Sequence, residues 1–171
     1  MDMKVKTSSI ILAGGNSSRM GKDKALLTIG GITTLEMIIK TALEVSNKVV
    51  VMRGVKQFKP TFFIRNREYV KIGFDKIPNQ GPLQGIADGL DLIDKDMSQI
   101  FILTCDIPNI NKSWLNNLFT ALTKGVDVVC TKNQNYENPL LAIYKKKVLL
   151  GARKLLKNNI RRPIELWKGW K

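Results

Sequence analysis

The sequence predicts an α/β fold, a three-layer αβα sandwich around a Rossmann-like, mostly parallel sheet, and three observations predict it. Apolar, β-branched runs at residues 9–13, 48–52 and 100–105 lack polar alternation, as expected of parallel strands covered on both faces. Segments with apolar residues at helical spacing lie between these runs, the alternation of a βαβ chain. The first run breaks into Gly14 and Gly15, at the strand end where open α/β sheets bind their ligands.

At 171 residues the chain can bury one full core, and a single domain spanning 1–171 is expected. Apolar residues at 44% and charged residues at 25% are globular values. The polar opening residues precede an apolar run too short for a secretory h-region, and no apolar stretch approaches membrane length. A cytoplasmic protein without a membrane partner is therefore expected. Cys105 and Cys130 each fall in an apolar run, which points to buried reduced thiols and away from a disulfide or metal site.

The net charge of +14 is concentrated at the carboxyl end, where residues 140–171 hold ten Lys/Arg against Glu165. Such a cluster attracts polyanions, or serves only as a solvated face. No nucleic-acid recognition motif with interleaved aromatics accompanies it, so nucleic acid is not an expected partner.

Residues 12–24, Leu-Ala-Gly-Gly-Asn-Ser-Ser-Arg-Met-Gly-Lys-Asp-Lys, have the composition of a phosphate cradle. Gly14 and Gly15 let backbone N–H groups approach an anion without a Cβ in the way. Arg19, Lys22 and Lys24 supply cations within a few residues. Two familiar loops are excluded. Gly15 and Gly21 are one residue too far apart for a Walker A loop and are followed by Lys22-Asp23, and adjacent glycines break the G-x-G-x-x-G fingerprint.

The stretch closely resembles the signature L-A-G-G-x-S-x-R-M-G-x-D-K of the molybdenum cofactor guanylyltransferases and their sister cytidylyltransferases. The resemblance implies the nucleotide-diphospho-sugar transferase type of sheet. It also implies a nucleotide half over about 1–106 and an acceptor half over about 107–171. In that family Leu12, Ala13, Gly14, Gly15, Ser17, Arg19 and Lys24 would bind the nucleotide.

Beyond the loop, residues 26–31 read as a brief turn or hairpin ending at Gly30-Gly31. Thr33 or Thr34 caps a helix carrying Leu35, Ile38, Ile39, Ala42 and Leu43. Residues 48–52 form the second strand. Residues 61–64 and 70–74 are further short strands, the latter closed by Asp75. Pro82 opens a helix with Leu83, Ile86, Ala87, Leu90 and Ile93 inward. The Gly-Pro-Leu-x-Gly element matches a second family signature, so the resemblance adds Asp75, Gly81, Pro82 and Gly85 to the nucleotide pocket.

The run 100–105 reads as the central strand and delivers Asp106, with Pro108 stopping the strand behind it. Taken alone, Asp106 could cap a helix or pair with a lysine. Beside a triphosphate loop it reads as a Mg²⁺ ligand, because magnesium takes one or two carboxylates plus phosphate oxygens. Asn111 or Ser113 caps the next helix, which Gly125 closes, and residues 126–131 make a strand. After a polar loop at 132–137, residues 138–144 resemble the family's P-L-x-A-x-Y strand beside the acceptor pocket. This brings in Asn138 and Pro139. Val148, Ala152, Leu155 and Leu156 belong to one last helix. Arg161 and Arg162 either meet an acceptor phosphate or stabilise a helix end. Trp167 and Trp170 read as docking or surface aromatics.

The resemblance implies transfer of GMP from GTP to the phosphate of molybdopterin, with pyrophosphate released, Mg²⁺ as cofactor, and Arg19, Lys24 and Asp106 as the catalytic groups. Molybdoenzymes or other cofactor-maturation proteins are further partners of the family. Two alternatives stay open: the CTP-dependent reaction, since the loop is shared, and a shortened non-catalytic binder. Met52 stands where guanylyl enzymes usually offer an asparagine. The chain stops at Lys171, short of the family's closing Asn-Thr-Pro segment, so the expectation is that another chain supplies that segment or that activity is weakened or lost. Zero histidines suit a reaction whose nucleophile is already an anion.

Overall fold

The computed structural model describes residues 6–14, 23–54, 68–107, 109–134 and 136–171. The first strand, β1 (Thr7–Leu12), is buried throughout, and it alternates Ile10 into one core and Ile11 into the other. A small hairpin follows, β2 (Thr28–Ile29) and β3 (Ile32–Thr33). Gly30 and Gly31 are its turn and not its end. Their φ values of 59° and 81° are those of a primed turn, which matches the twist of paired strands. Thr33 then caps α1 (Thr34–Leu43). Its side chain accepts from Glu36 N while the Glu36 carboxylate accepts from Thr33 N, a reciprocal capping box.

Strand β4 (Lys48–Arg53) runs one residue beyond its predicted end, and β5 (Val70–Phe74) lies parallel beside it. The expected strand at 61–64 falls outside the described residues. Helix α2 (Pro82–Leu90) starts at proline, whose missing N–H costs nothing in the first turn. The central β6 (Gln99–Thr104) stops short of Cys105, and Asn111, not Ser113, caps α3 (Lys112–Ala121).

Strands β7 (Val128–Asn133) and β8 (Tyr136–Lys145) form a hairpin through most of the segment predicted as a polar loop. A connection this short forces antiparallel pairing. The predicted last helix is two pieces, α4 (Lys146–Leu149) and α5 (Ala152–Lys157). At Gly151 between them a Cβ would come within 3.3 Å of the Val148 carbonyl oxygen.

The main sheet has the order β5-β4-β1-β6-β8-β7. β5, β4, β1 and β6 are parallel, while β8 is antiparallel to β6 and to β7. Helices α1 and α3 cover one face with Leu35, Ile38, Ile39, Leu115 and Leu118. Helices α2, α4 and α5 cover the other with Leu83, Ile86, Val148, Leu149 and Ala152. The three predicted layers are present. Among the described residues no helix is long and apolar enough to cross a membrane.

Both cysteines are free but half-buried, more open than expected, because Cys105 sits in the turn after β6 and Cys130 near the edge of the sheet on β7. Trp167 does dock: its ring stacks on the buried Tyr144, centroids 6.1 Å apart.

Candidate functional site

The chain order reverses between β1 and β6, since β1 leads outward to β4 and β5 before α2 returns the chain to β6. The crevice beyond the carboxyl ends of that pair is where such a sheet takes a ligand. Leu12 pairs in register with Met52 on one side and Thr104 on the other, so β1, β4 and β6 end close to one level.

On the β4 side the loops approach closely. Ala13 N donates to Met52 O at 2.9 Å, and a Cβ on Gly14 would come within 3.1 Å of Gly54 N. A side chain there would have to push that backbone back by a few tenths of an ångström. Asp75 stands just beyond, its N–H bonded to Arg53 O at 3.0 Å. Its carboxylate lies between Gly14 and Gly85: Cβ atoms built on those glycines would be 3.5 and 3.4 Å from its two oxygens. Three predicted residues, distant in sequence, thus meet. Burial first, and then the Asp88 charge, pushes the Asp75 carboxyl up to about 6. Gly81, with φ of 74°, precedes Pro82 at the start of α2 and approaches the backbone carbonyl of Arg161.

On the β6 side, Cys105 Sγ reaches Leu12 O at 3.8 Å, which brings the turn after β6 onto the end of β1. Asp106 is the next residue, exposed, and accepts a hydrogen bond from Thr104 Oγ1. The Cys105 thiol is pushed up to about 11 by burial and then by the Asp106 charge, with Asp23 adding to it. It is a protonated, inert group. Gly15, Ser17 and Arg19 lie outside the described residues, as does the side chain of Lys24, whose backbone opens a 3-10 turn over Lys24–Leu26.

The acceptor candidates separate. Arg161 donates from Nη1 to Leu156 O at 2.8 Å and from Nη2 to Asn159 Oδ1 at 3.3 Å, so it secures the end of α5. Arg162 is exposed. Pro139 O accepts from Tyr144 Oη at 2.7 Å, a fold-holding bond. Asn138 instead lines a cavity beside α3.

Two buried charges were not singled out in the sequence. Arg53 is fully buried, with Nη1 bonded to Ala13 O at 3.3 Å and Nη2 ion-paired with Asp23. One side chain thereby joins Ala13 to Asp23, on either side of residues 15–22. Asp88 Oδ2 accepts from Lys76 N at 2.8 Å and Gln84 Nε2 at 2.7 Å, and Oδ1 is 3.0 Å from Arg153 Nη1. The signal for each was a charge in an otherwise inward-facing pattern. Met52, by contrast, is buried beneath α2, close to Gly73, Gly85 and Gly89, and cannot read a base edge.

No cluster of three metal-ligating residues of the His, Cys, Asp or Glu types occurs among the described residues. Asp106 is a single exposed carboxylate beyond the end of β6.

Comparison with known proteins bears on the family and the fold. A probable molybdenum cofactor guanylyltransferase of Bacillus cereus (strain ATCC 10987 / NRS 248) is 34% identical over 149 residues, 84% of this chain and 70% of the relative. Molybdopterin-guanine dinucleotide biosynthesis protein A from Archaeoglobus fulgidus superposes with a TM-score of 0.72 at 19% identity, covering 96% of this chain and 80% of that one. A 4-diphosphocytidyl-2C-methyl-D-erythritolsynthase from Anaerococcus prevotii has the same fold at a TM-score of 0.69 and 15% identity, over 95% of this chain and 81% of its own. The sheet is therefore that of the nucleotide-diphospho-sugar transferase fold. The model of the MobA-like NTP transferase domain matches residues 9–167, and the chain belongs to that family.

Proposed function

We propose that this nucleotidyltransferase moves GMP from GTP onto the phosphate of molybdopterin. The observation that carries the reading is the meeting of Gly14, Asp75 and Gly85 on one side of the β1 end with Asp106 on the other. Guanine presents a ring N–H beside an exocyclic amine, and one ionised carboxylate accepts from both. Cytosine offers one donor group, its exocyclic amine, with a ring-nitrogen acceptor and not an N–H beside it. Asp75 therefore favours guanine, in the role that Met52 cannot fill.

An oxygen of the acceptor phosphate forms a bond to the α-phosphorus as the bridging α–β P–O bond breaks, and pyrophosphate leaves. The nucleophile is already ionised at neutral pH, so no general base is required, in keeping with the absence of histidine. The protein's part is positioning and charge stabilisation. Backbone N–H groups from Gly14 to Ser17, with Arg19 and Lys24, would meet the phosphates, whereas the Ala13 N–H is already bonded to Met52 O. Asp106 would hold Mg²⁺, which neutralises charge on the phosphate oxygens.

The test is a thermal-shift series with GTP, CTP and ATP in the presence of Mg²⁺, followed by pyrophosphate release with molybdopterin. A ligand at a hundred times its Kd adds about 2.7 kcal/mol of stability. GTP should give the largest shift. Asp106→Asn should lower turnover about 10²- to 10³-fold, the usual cost of one charge-stabilising group. Equal shifts from all three nucleotides, or full activity in Asp106→Asn, would defeat the reading.

A further inference from the structure

Asp88 carries a buried charge that the transfer reaction does not use. Its side chain on α2 is 1% exposed, where an acid is costly to bury unless its oxygens are occupied. Oδ2 accepts from Gln84 Nε2, one helical turn earlier, at 2.7 Å, and from the main-chain N–H of Lys76 at 2.8 Å. Oδ1 lies 3.0 Å from Arg153 Nη1 on α5. The Lys76 N–H belongs to the peptide that follows Asp75, and the N–H of Asp75 itself is held by Arg53 O at 3.0 Å. The main chain is thus pinned on both sides of the Asp75 Cα. The Asp75 carboxylate occupies the space beside Gly14 and Gly85, where neither residue has a side chain.

Asp88 also acts across space. Its charge adds to burial in pushing up the Asp75 carboxyl. A more basic carboxylate that is still ionised at neutral pH is a better hydrogen-bond acceptor. The neighbouring charges are engaged with one another: Lys76 Nζ lies 2.7 Å and Arg153 Nη2 2.6 Å from Asp91 at the α2 C-cap. Among the described residues, Arg153 is the cation paired with Asp88. We infer that Asp88 is a positioning residue for Asp75, pinning the peptide that follows it and presenting a negative charge to its carboxylate, with Arg153 of the acceptor half as the counterion. The role of Asp75 towards guanine is the reading proposed above; the coupling of Asp88 to Asp75 is measured without it. An acid that only held the turn could be replaced by asparagine, whose carbonyl oxygen accepts from the same Lys76 N–H. Charge separates the two roles.

The test follows the Asp75 carboxyl of the full chain by carbon-13 NMR titration, and separately the affinities of Mg·GTP and Mg·triphosphate across pH. In Asp88→Asn the Asp75 midpoint should fall from about 6 by about one pH unit, and in Arg153→Gln it should rise. Wild-type GTP affinity should be about tenfold weaker at about pH 5 than at about pH 7, and that of Asp88→Asn only about twofold weaker, because the ionised fraction of Asp75 follows the midpoint. Asp88→Ala, which also frees the Lys76 N–H, should weaken GTP about tenfold near pH 7. Mg·triphosphate, which has no base, reports loss of fold and titration of the phosphates, and each variant should bind it within about twofold of the wild type at every pH. An Asp75 midpoint unchanged in Asp88→Asn, or equal losses of GTP and triphosphate affinity in Asp88→Ala, overturns the inference. A midpoint that moves as expected while GTP affinity stays level with pH leaves the Asp88 inference standing and removes Asp75 from guanine.

Discussion

Burial and the Asp88 charge raise the Asp75 carboxyl to about 6, against about 3.9 for an unfolded aspartate. Between those values the folded chain binds more protons than the unfolded one, so stability falls as pH rises from about 4 to about 6 and stays reduced above. Asp75→Asn removes this penalty. The variant should be more stable than the parent above pH 6, by on the order of 1 kcal/mol, with the difference vanishing near pH 4 in urea titrations. GTP affinity should fall in the same protein, since a carboxamide cannot accept from both guanine donors. A gain in stability with unchanged GTP affinity would remove Asp75 from the base site. Asp106 was legible because it ends an apolar run with a single charge, and Asp75 because it closes a strand six residues before the Gly-Pro-Leu-x-Gly element that the family resemblance rests on. Arg53 was not. Its alkyl stem continues a buried strand, and only the structure shows where the guanidinium goes.

At the scale of elements, that guanidinium joins the residues flanking 15–22. It ties the Ala13 carbonyl at the end of β1 to Asp23, whose Oδ1 in turn accepts from Ala25 N at 3.1 Å. Arg53→Leu keeps much of the buried volume but leaves Asp23 and the Ala13 carbonyl without that partner. A loss of about 2–3 kcal/mol in stability is expected, at the lower end for a broken buried pair because Asp23 can rehydrate. KM for the nucleotide should rise about tenfold with a smaller change in kcat, since the loop ends lose their tie and Asp106 is untouched. A drop in kcat at constant KM would count against a framing role. The strand–helix alternation and the caps at Thr33 and Asn111 were readable from local pattern. The break between α4 and α5 was not, because Val148, Ala152, Leu155 and Leu156 keep helical spacing across it. Tertiary packing decides there: Val148 and Leu149 enter the core beneath β8, and Arg153 must reach Asp88 on α2 and Asp91 at its C-cap. The antiparallel β8 was likewise hidden, since strand direction follows from the length of the β7–β8 link and not from composition.

For the whole molecule the question is whether the nucleotide half and the acceptor half fold separately. The sheet argues for one unit. β6, from the nucleotide half, is hydrogen-bonded on one edge to β1 and on the other to β8 from the acceptor half. The core on one face mixes Ile11, Ile38 and Val51 with Leu115 and Ile143, and that on the other mixes Ile10 and Leu83 with Val148 and Leu166. Separating the halves would bare an interior edge and divide both cores, which a marginally stable domain cannot bear. All three tryptophans, Trp114, Trp167 and Trp170, lie in the acceptor half, so their fluorescence reports that half while far-UV circular dichroism reports the whole. Urea transitions by the two probes should coincide, with one midpoint and one slope. A fluorescence transition completed well before the loss of ellipticity would mean that the acceptor half melts away from a nucleotide half able to stand alone. The β6–β8 ladder would then be a docking contact between two folding units, and the carboxyl end of β1 and the cavity beside α3 would have to be brought together by binding rather than by the fold.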